Sequence, residues 1–227
     1  MMKISEIFYS LQGEGRLAGV PSVFVRIAGC PLHCRWCDTP YAKTTAEAHD
    51  YAVDQVVAET LGYGCDHIVI TGGEPMHSPE LKELTVKLAS PERHITIETA
   101  GLVFVPGLEC QLMSISPKLS SSTPDDPGLA RVHEKLRLNI PAIRDLMSHY
   151  EYQLKFVIDR QSDLDEIKTL LRQLPRTPSD KVMLMPQARL REELADKSPL
   201  VAEMCRSTGF TFSHRLQVLL WNGQRGK

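Results

Sequence analysis

The stretch "SVFVRIAGCPLHCRWCDTP", Ser22 to Pro40, decides how this chain is read. Its first part, Ser22–Ala28, is short, rich in β-branched residues and almost wholly apolar, the signature of a buried strand. Its second part holds three of the chain's six cysteines, Cys30, Cys34 and Cys37, spaced C-x3-C-x2-C. A strand that empties into a cysteine loop puts that loop at the strand's carboxyl end, where parallel α/β folds collect their ligands.

Five further runs read as strands: "HIVIT" (67–71), "HITIET" (94–99), "LMSIS" (112–116), "LKFVID" (154–159) and "VMLM" (182–185). They are mostly apolar on both faces. Helical patterns near 51–62, 79–89, 129–149, 163–174 and 189–207 separate them, and Ser162 or Asp163 is placed to cap the fourth. This alternation implies a parallel sheet with right-handed crossovers. Six strands are too few for a closed eight-stranded barrel. The expected fold class is therefore α/β, a partial, incomplete TIM-type barrel with a mostly parallel, curved sheet of about six strands. "LSSSTPDDPG" (119–128) reads as a surface loop, and no internal repeat is present. Residues 1–227 are expected to form one core domain, with a substrate and cluster segment at 1–45 and a more variable part at 150–227. The strand ends carry "TGGEP" (71–75), "ETAG" (98–101), "SPK" (116–118) and "MPQ" (185–187), small and polar residues suited to a site built from many loops.

A chain of 227 residues with 42% hydrophobic and 24% charged residues can bury a core without crosslinks. The net charge of −2 gives no sign of a nucleic-acid-coating surface. No secretory h-region and no long apolar run occur, so a membrane span is not expected and a cytoplasmic location is. Thiols there stay reduced, which favours ligand or catalytic roles over disulfides. Cys65, Cys110 and Cys205 are scattered and read as small buried hydrophobes.

Three readings of the cysteine loop compete. A disulfide leaves one thiol over and closes only a few residues. Structural zinc wants four ligands, which His33 would have to complete beside Cys34, and adjacent residues seldom face one ion. A [4Fe-4S] cluster on three thiolates leaves one iron open to an exchangeable ligand. The spacing ranks the cluster ahead of zinc.

The C-x3-C-x2-C pattern, with Trp36 before the last cysteine, resembles the radical S-adenosylmethionine (SAM) enzymes. "GGEP", Gly72 to Pro75, resembles their second mark. Within that superfamily, "EIFYSLQGEG" (6–15), "GVPSVFVRIAGCPLHCRWCDT" (19–39), "TGGEP", "ISPK" (115–118) and "LKFVI" (154–158) resemble the 7-carboxy-7-deazaguanine synthases (QueE), most specifically over the first 120 residues. The resemblance implies a lyase that converts 6-carboxy-5,6,7,8-tetrahydropterin to 7-carboxy-7-deazaguanine with release of ammonia, for queuosine and related 7-deazapurines. It implies SAM cleavage by a reduced cluster and hydrogen abstraction from C6 of the pterin.

By the same resemblance Cys30, Cys34 and Cys37 hold the cluster and Thr39 contacts Mg2+. Trp36, Cys37, Asp38, Gly72, Gly73, Glu74, Ser116, Pro117 and Lys118 contact SAM, with Glu74 pairing its ammonium group. Leu11, Gln12, Gly13, Glu14, Arg26 and Thr71 contact the pterin, Arg26 through the substrate carboxylate and Glu14 through its donor edge. Glu98 and Thr99 are candidates for the ribose, and Met185-Pro186-Gln187 for the adenine. A flavodoxin- or ferredoxin-type electron donor and a homodimer are the family expectation; nucleic acid and membrane partners are not. The ending "RLQVLLWNGQRGK" departs from the "THKY"-like ending of one family branch, so Lys227 gets no role. The alternatives are a glycyl-radical activating enzyme, against which "QGEG" and Asp38-Thr39 speak, and a non-catalytic zinc-binding module.

Overall fold

All six apolar runs are strands, and three more strands join them in one nine-stranded sheet. The structure, a computed structural model, describes residues 1–227. The strands are β1 (Met2–Leu11), β2 (Pro21–Ile27), β3 (His49–Tyr51), β4 (His67–Gly72), β5 (His94–Thr99), β6 (Leu112–Ile115), β7 (Tyr152–Ile158), β8 (Val182–Pro186) and β9 (Thr211–Phe212). The helices are α1 (Val53–Gly62), α2 (Leu81–Leu88), α3 (Pro127–Leu136), α4 (Ile140–His149), α5 (Asp163–Leu171), α6 (Arg191–Thr208) and α7 (Leu216–Trp221).

The sheet order is β3-β1-β2-β4-β5-β6-β7-β8-β9. Every pair from β2 onward is parallel, while β1 runs antiparallel to both β2 and β3. Edges β3 and β9 do not pair, so the sheet is an open partial barrel, wider than the expected six strands. The extra strands lie at or beside the edges. There, polar sequences such as His49-Asp50-Tyr51 replace the apolar run of a central strand.

The expected helix over 129–149 is two helices. Asn139 Oδ1 accepts from the Ala142 N–H at 3.2 Å, and Pro141 occupies the first turn, where its missing N–H costs nothing. α3 starts inside the expected 119–128 loop because Asp126 Oδ1 caps the Leu129 N–H at 2.8 Å. Ser162 stands before α5 without a side-chain cap, and Asp163 instead ties back to the Asp159 and Arg160 N–H groups at 2.8 and 3.1 Å.

The two faces of the sheet differ. Ile27, Ile70, Ile97, Ile115, Phe156 and Leu184 join one core with Val56, Leu84, Ile143, Ile167 and Val201 of the helices. Burying each such side chain contributes about 1.5–3 kcal/mol. The opposite face is not apolar throughout, as the sequence suggested. It carries Arg26, Glu98, Ser114 and Lys155 toward the hollow of the half-barrel.

A bulge in β1 sets this division. Ile4 pairs with Ile27 and Glu6 pairs with Arg26, with the register shifting between them. Residues two apart on a regular strand face the same side. The extra residue, Ser5, lets Ile4 enter the apolar core while Glu6 meets Arg26 at the hollow.

Candidate active site

The hollow holds a cleft of ≈ 500 Å³ at the carboxyl ends of the parallel strands. The cysteine loop forms one wall. Its entry is fixed by the Gly29 N–H to the Ala42 carbonyl at 2.9 Å and the Cys30 N–H to the Lys43 carbonyl at 3.0 Å. Its tip is fixed by Trp36 Nε1 on the Ser121 carbonyl at 3.1 Å and the Arg35 N–H on the Ser122 carbonyl at 2.9 Å. His33 lies outside the cleft; its N–H meets Nδ1 of buried His133 at 3.3 Å. Cys30, Cys34 and Cys37 all border the cleft, and all are free thiols. Burial pushes the Cys30 thiol up to about 11 and raises Cys34, against which Lys118 acts.

The glycine turn after β4 packs on the root of this loop. A Cβ at Gly72 would lie 1.9 Å from the Ile27 carbonyl oxygen, and one at Gly73 2.3 Å from that of Gly29. The Gly73 N–H donates to Ile27 and the Glu74 N–H to Gly29, each at 2.9 Å. Both glycines are therefore required by backbone-to-backbone contact. Glu74 is buried and accepts from Thr99 Oγ1 at 2.6 Å, the Ala100 N–H at 2.7 Å and the Met76 N–H at 3.3 Å. Burial raises its pKa, and these donors only partly offset the rise.

At one end of the cleft, Arg26 Nε donates to Glu6 Oε1 at 2.6 Å, and the Tyr41 hydroxyl donates to the same oxygen at 2.9 Å. Arg225 Nε donates to Glu6 Oε2 at 3.1 Å, and its guanidinium lies 4.1 Å from the Tyr41 ring centre. Burial would raise the Glu6 carboxyl, but Arg26, Arg225 and Tyr41 outweigh it and hold it low. Burial likewise pushes the Tyr41 phenol up to about 12. Neither terminal nitrogen of Arg26 has a protein partner.

At the other end, Glu14 is partly buried among Lys155, Arg215 and Gln217. Lys155 Nζ pairs with Glu14 and lies 3.9 Å from Glu98, and Arg215 Nε lies 3.3 Å from Glu14. Gln217 Nε2 donates to Glu14 at 2.7 Å. Arg215 also pairs with Asp38, and Thr71 Oγ1 and Gln12 Nε2 donate to Glu98 at 2.9 and 3.2 Å. Burial opposes ionisation of Glu14, yet the two cations dominate and hold its carboxyl at about 2.

A family model of the radical SAM superfamily matches residues 24–109. The chain is 41% identical to the 7-carboxy-7-deazaguanine synthase of Rhodopirellula baltica over 227 residues, covering 98% of this chain and 88% of that one. It is 39% identical to the protein of the same name from Halobacterium salinarum, over 97% of this chain and 91% of the relative. The chain belongs to the 7-carboxy-7-deazaguanine synthase family. Among solved structures, QueE from Escherichia coli aligns with a TM-score of 0.71 at 25% identity, covering 93% of this chain and 92% of that one.

Membership in the radical SAM superfamily implies a [4Fe-4S] cluster and SAM and sets aside the zinc module, while the synthase relatives set aside the glycyl-radical activase. Most residues the synthase resemblance singled out border the one cleft: Leu11, Gln12, Gly13, Glu14, Arg26, Thr39, Thr71, Gly72, Gly73, Glu98, Thr99, Ser116, Lys118 and Met185, with Trp36, Asp38 and the three cysteines. Glu74, Pro117, Pro186 and Gln187 do not. Glu74 accepts from three protein donors, which tie the glycine turn to the end of β5.

The sequence reading missed Lys155, Arg215, Gln217, Tyr41, Arg189 and Arg225, which also border the cleft. Lys155 carried a legible signal, a lone cation inside the apolar run "LKFVI". Arg215 and Gln217 carried none, because they reach the cleft from the turn and helix beyond β9. Arg189, between β8 and α6, donates from Nη2 to the Cys37 carbonyl at 2.8 Å and ties that loop to the cysteine loop.

Proposed function

We propose that this synthase-family chain converts 6-carboxy-5,6,7,8-tetrahydropterin to 7-carboxy-7-deazaguanine with loss of ammonia, and that its cleft binds the pterin by opposite charges at its two ends. The observation that carries the reading is the imbalance. Two guanidinium groups face one carboxylate at the Arg26 end, and three carboxylates face two cations at the Glu14 end. The first end lacks an anion, which the substrate carboxylate supplies to the free terminal nitrogens of Arg26. The second lacks donors, which the amino-pyrimidine edge of the pterin supplies to Glu14 and Glu98. Gln217 Oε1, buried without a partner, is a further acceptor there.

Cys30, Cys34 and Cys37 are the ligands we assign to the cluster. No three thiol, imidazole or carboxylate groups converge closely enough to hold one metal ion. Three cysteines spaced C-x3-C-x2-C suit a four-iron cluster with one open iron better than a closed, four-ligand zinc site. Metal binding also supplies the energy to deprotonate thiols that burial keeps protonated. The reduced cluster, when bound, supplies the electron that opens SAM. Gly72, Gly73, Ser116 and Lys118 line the cofactor's side of the cleft, while Trp36 and Asp38 are held in place by Ser121 and Arg215. Thr39, whose Oγ1 lies 3.8 Å from Cys37 Sγ, is assigned to Mg2+, a hard cation that retains several waters and substrate oxygens. A flavodoxin- or ferredoxin-type donor and a homodimeric assembly belong to the same proposal.

The test is anaerobic incubation of the reconstituted protein with SAM, a reductant and 6-carboxytetrahydropterin. The expected result is 7-carboxy-7-deazaguanine and ammonia in equal amounts. Cleavage of SAM with this pterin left untouched would overturn the substrate assignment.

A further inference from the structure

The segment 222–227, beyond α7, turns back over the cleft. Asn222, Gly223 and Gly226 adopt left-handed backbone with φ of 53°, 72° and 74°. Asparagine and glycine tolerate this region best. The turn is pinned from α6, where the Arg191 N–H donates to Asn222 Oδ1 at 2.7 Å and Arg191 Nε to the Leu219 carbonyl at 2.8 Å. It delivers Arg225 to Glu6 and the face of Tyr41, beside Arg26.

We infer that Arg225 is the second arm of the carboxylate site, a specificity-determining residue brought to the cleft from the opposite end of the chain. The inference rests on the pterin reading given above. Glu6 is the only carboxylate paired with either guanidinium, and one negative charge cannot neutralise two cations. The surplus charge belongs to a ligand anion. Arg225 keeps donors for it: Nε engages Glu6 and Nη2 reaches the Ser5 carbonyl only at 3.5 Å, while Nη1 has no partner. Stacking on Tyr41 orients the guanidinium plane, as the Glu6 bond orients that of Arg26. The pair then brackets a carboxylate whose carbon skeleton lies over Phe8 and Phe24, which stack at 5.0 Å on the cleft wall.

Arg225 is half-exposed, with 49% of its side chain open to solvent, so its removal does not threaten the core. The test is anaerobic calorimetry on the holoprotein with SAM, using two ligands, 7-carboxy-7-deazaguanine and 7-deazaguanine, which lacks the carboxylate. The Arg225→Ala protein should bind the carboxylated compound about tenfold more weakly and 7-deazaguanine unchanged. Arg225→Lys should recover part of the loss. An equal loss for both ligands would mean that the segment only shapes the cleft. No loss for either, while Arg26→Gln abolishes the preference for the carboxylated compound, would overturn the assignment of Arg225 alone. A wild-type protein that shows no preference for the carboxylated compound would overturn both this inference and the pterin reading beneath it.

Discussion

At the Arg26 end of the cleft two guanidinium groups share Glu6, whereas at the Glu14 end Glu14, Glu98 and Asp38 surround Lys155 and Arg215. Both networks are charged and only partly open to water, yet each is short of the opposite sign. A balanced buried network would only stabilise the fold, and often weakly. Two networks unbalanced in opposite directions instead orient a ligand that carries an anion at one end and N–H donors at the other. The comparison also separates what each end contributes: the first selects for the carboxylate, and the second sets the rotation of the ring.

Arg26→Gln breaks the first end most severely. It removes a partly buried fork donor and leaves Arg225 as the only cation on Glu6. We expect kcat/KM to fall on the order of 1,000-fold, with iron and sulfide content unchanged. Retained turnover with lost iron would move Arg26 to the cluster's support. Glu14→Gln breaks the second end, replacing one of two acceptor oxygens by a donor and removing the charge that compensates Lys155 and Arg215. A loss of roughly 100-fold in kcat/KM and a lower melting temperature are expected from steady-state kinetics and thermal unfolding.

Lys155→Met sharpens the comparison through pH. In the wild type the Glu14 carboxyl sits at about 2, so it stays ionised and product affinity should be flat from about pH 8 to about pH 5.5. Without Lys155, burial is opposed only by Arg215 and the Gln217 hydrogen bond, and the carboxyl rises. Protonation then sets in as pH falls, so affinity should weaken toward the acidic end, after a loss of roughly tenfold at neutral pH. A flat profile in the variant would show that Lys155 does not tune Glu14. Tyr41→Phe is the mildest change. It removes one donor from Glu6 and keeps the ring under Arg225, so KM for the pterin should rise roughly threefold with kcat unchanged.

The parallel core and its strand ends were legible because Val, Ile and Leu runs of central strands leave a strong mark. β1 was not read as a strand, since its bulge at Ser5 breaks the two-residue period that would have announced it. That bulge is also what turns Glu6 toward Arg26. The motif residues near Cys30–Thr39 and Gly72–Gly73 were found by local pattern. The bonds that Glu74 makes inside the fold, to Met76, Thr99 and Ala100, are ones that spacing does not reveal. Arg215, Gln217 and Arg225 come to the cleft across more than 170 residues of chain from their partners, and no local period encodes such a contact.

The measurement that bears most directly on the bipolar cleft is an anaerobic crystal structure of the reconstituted protein with SAM and 7-carboxy-7-deazaguanine. The ligand carboxylate should lie within hydrogen-bond reach of Arg26 and the amino-pyrimidine edge against Glu14. A ligand bound in the reverse sense, or outside the cleft bordered by these two residues, would contradict it.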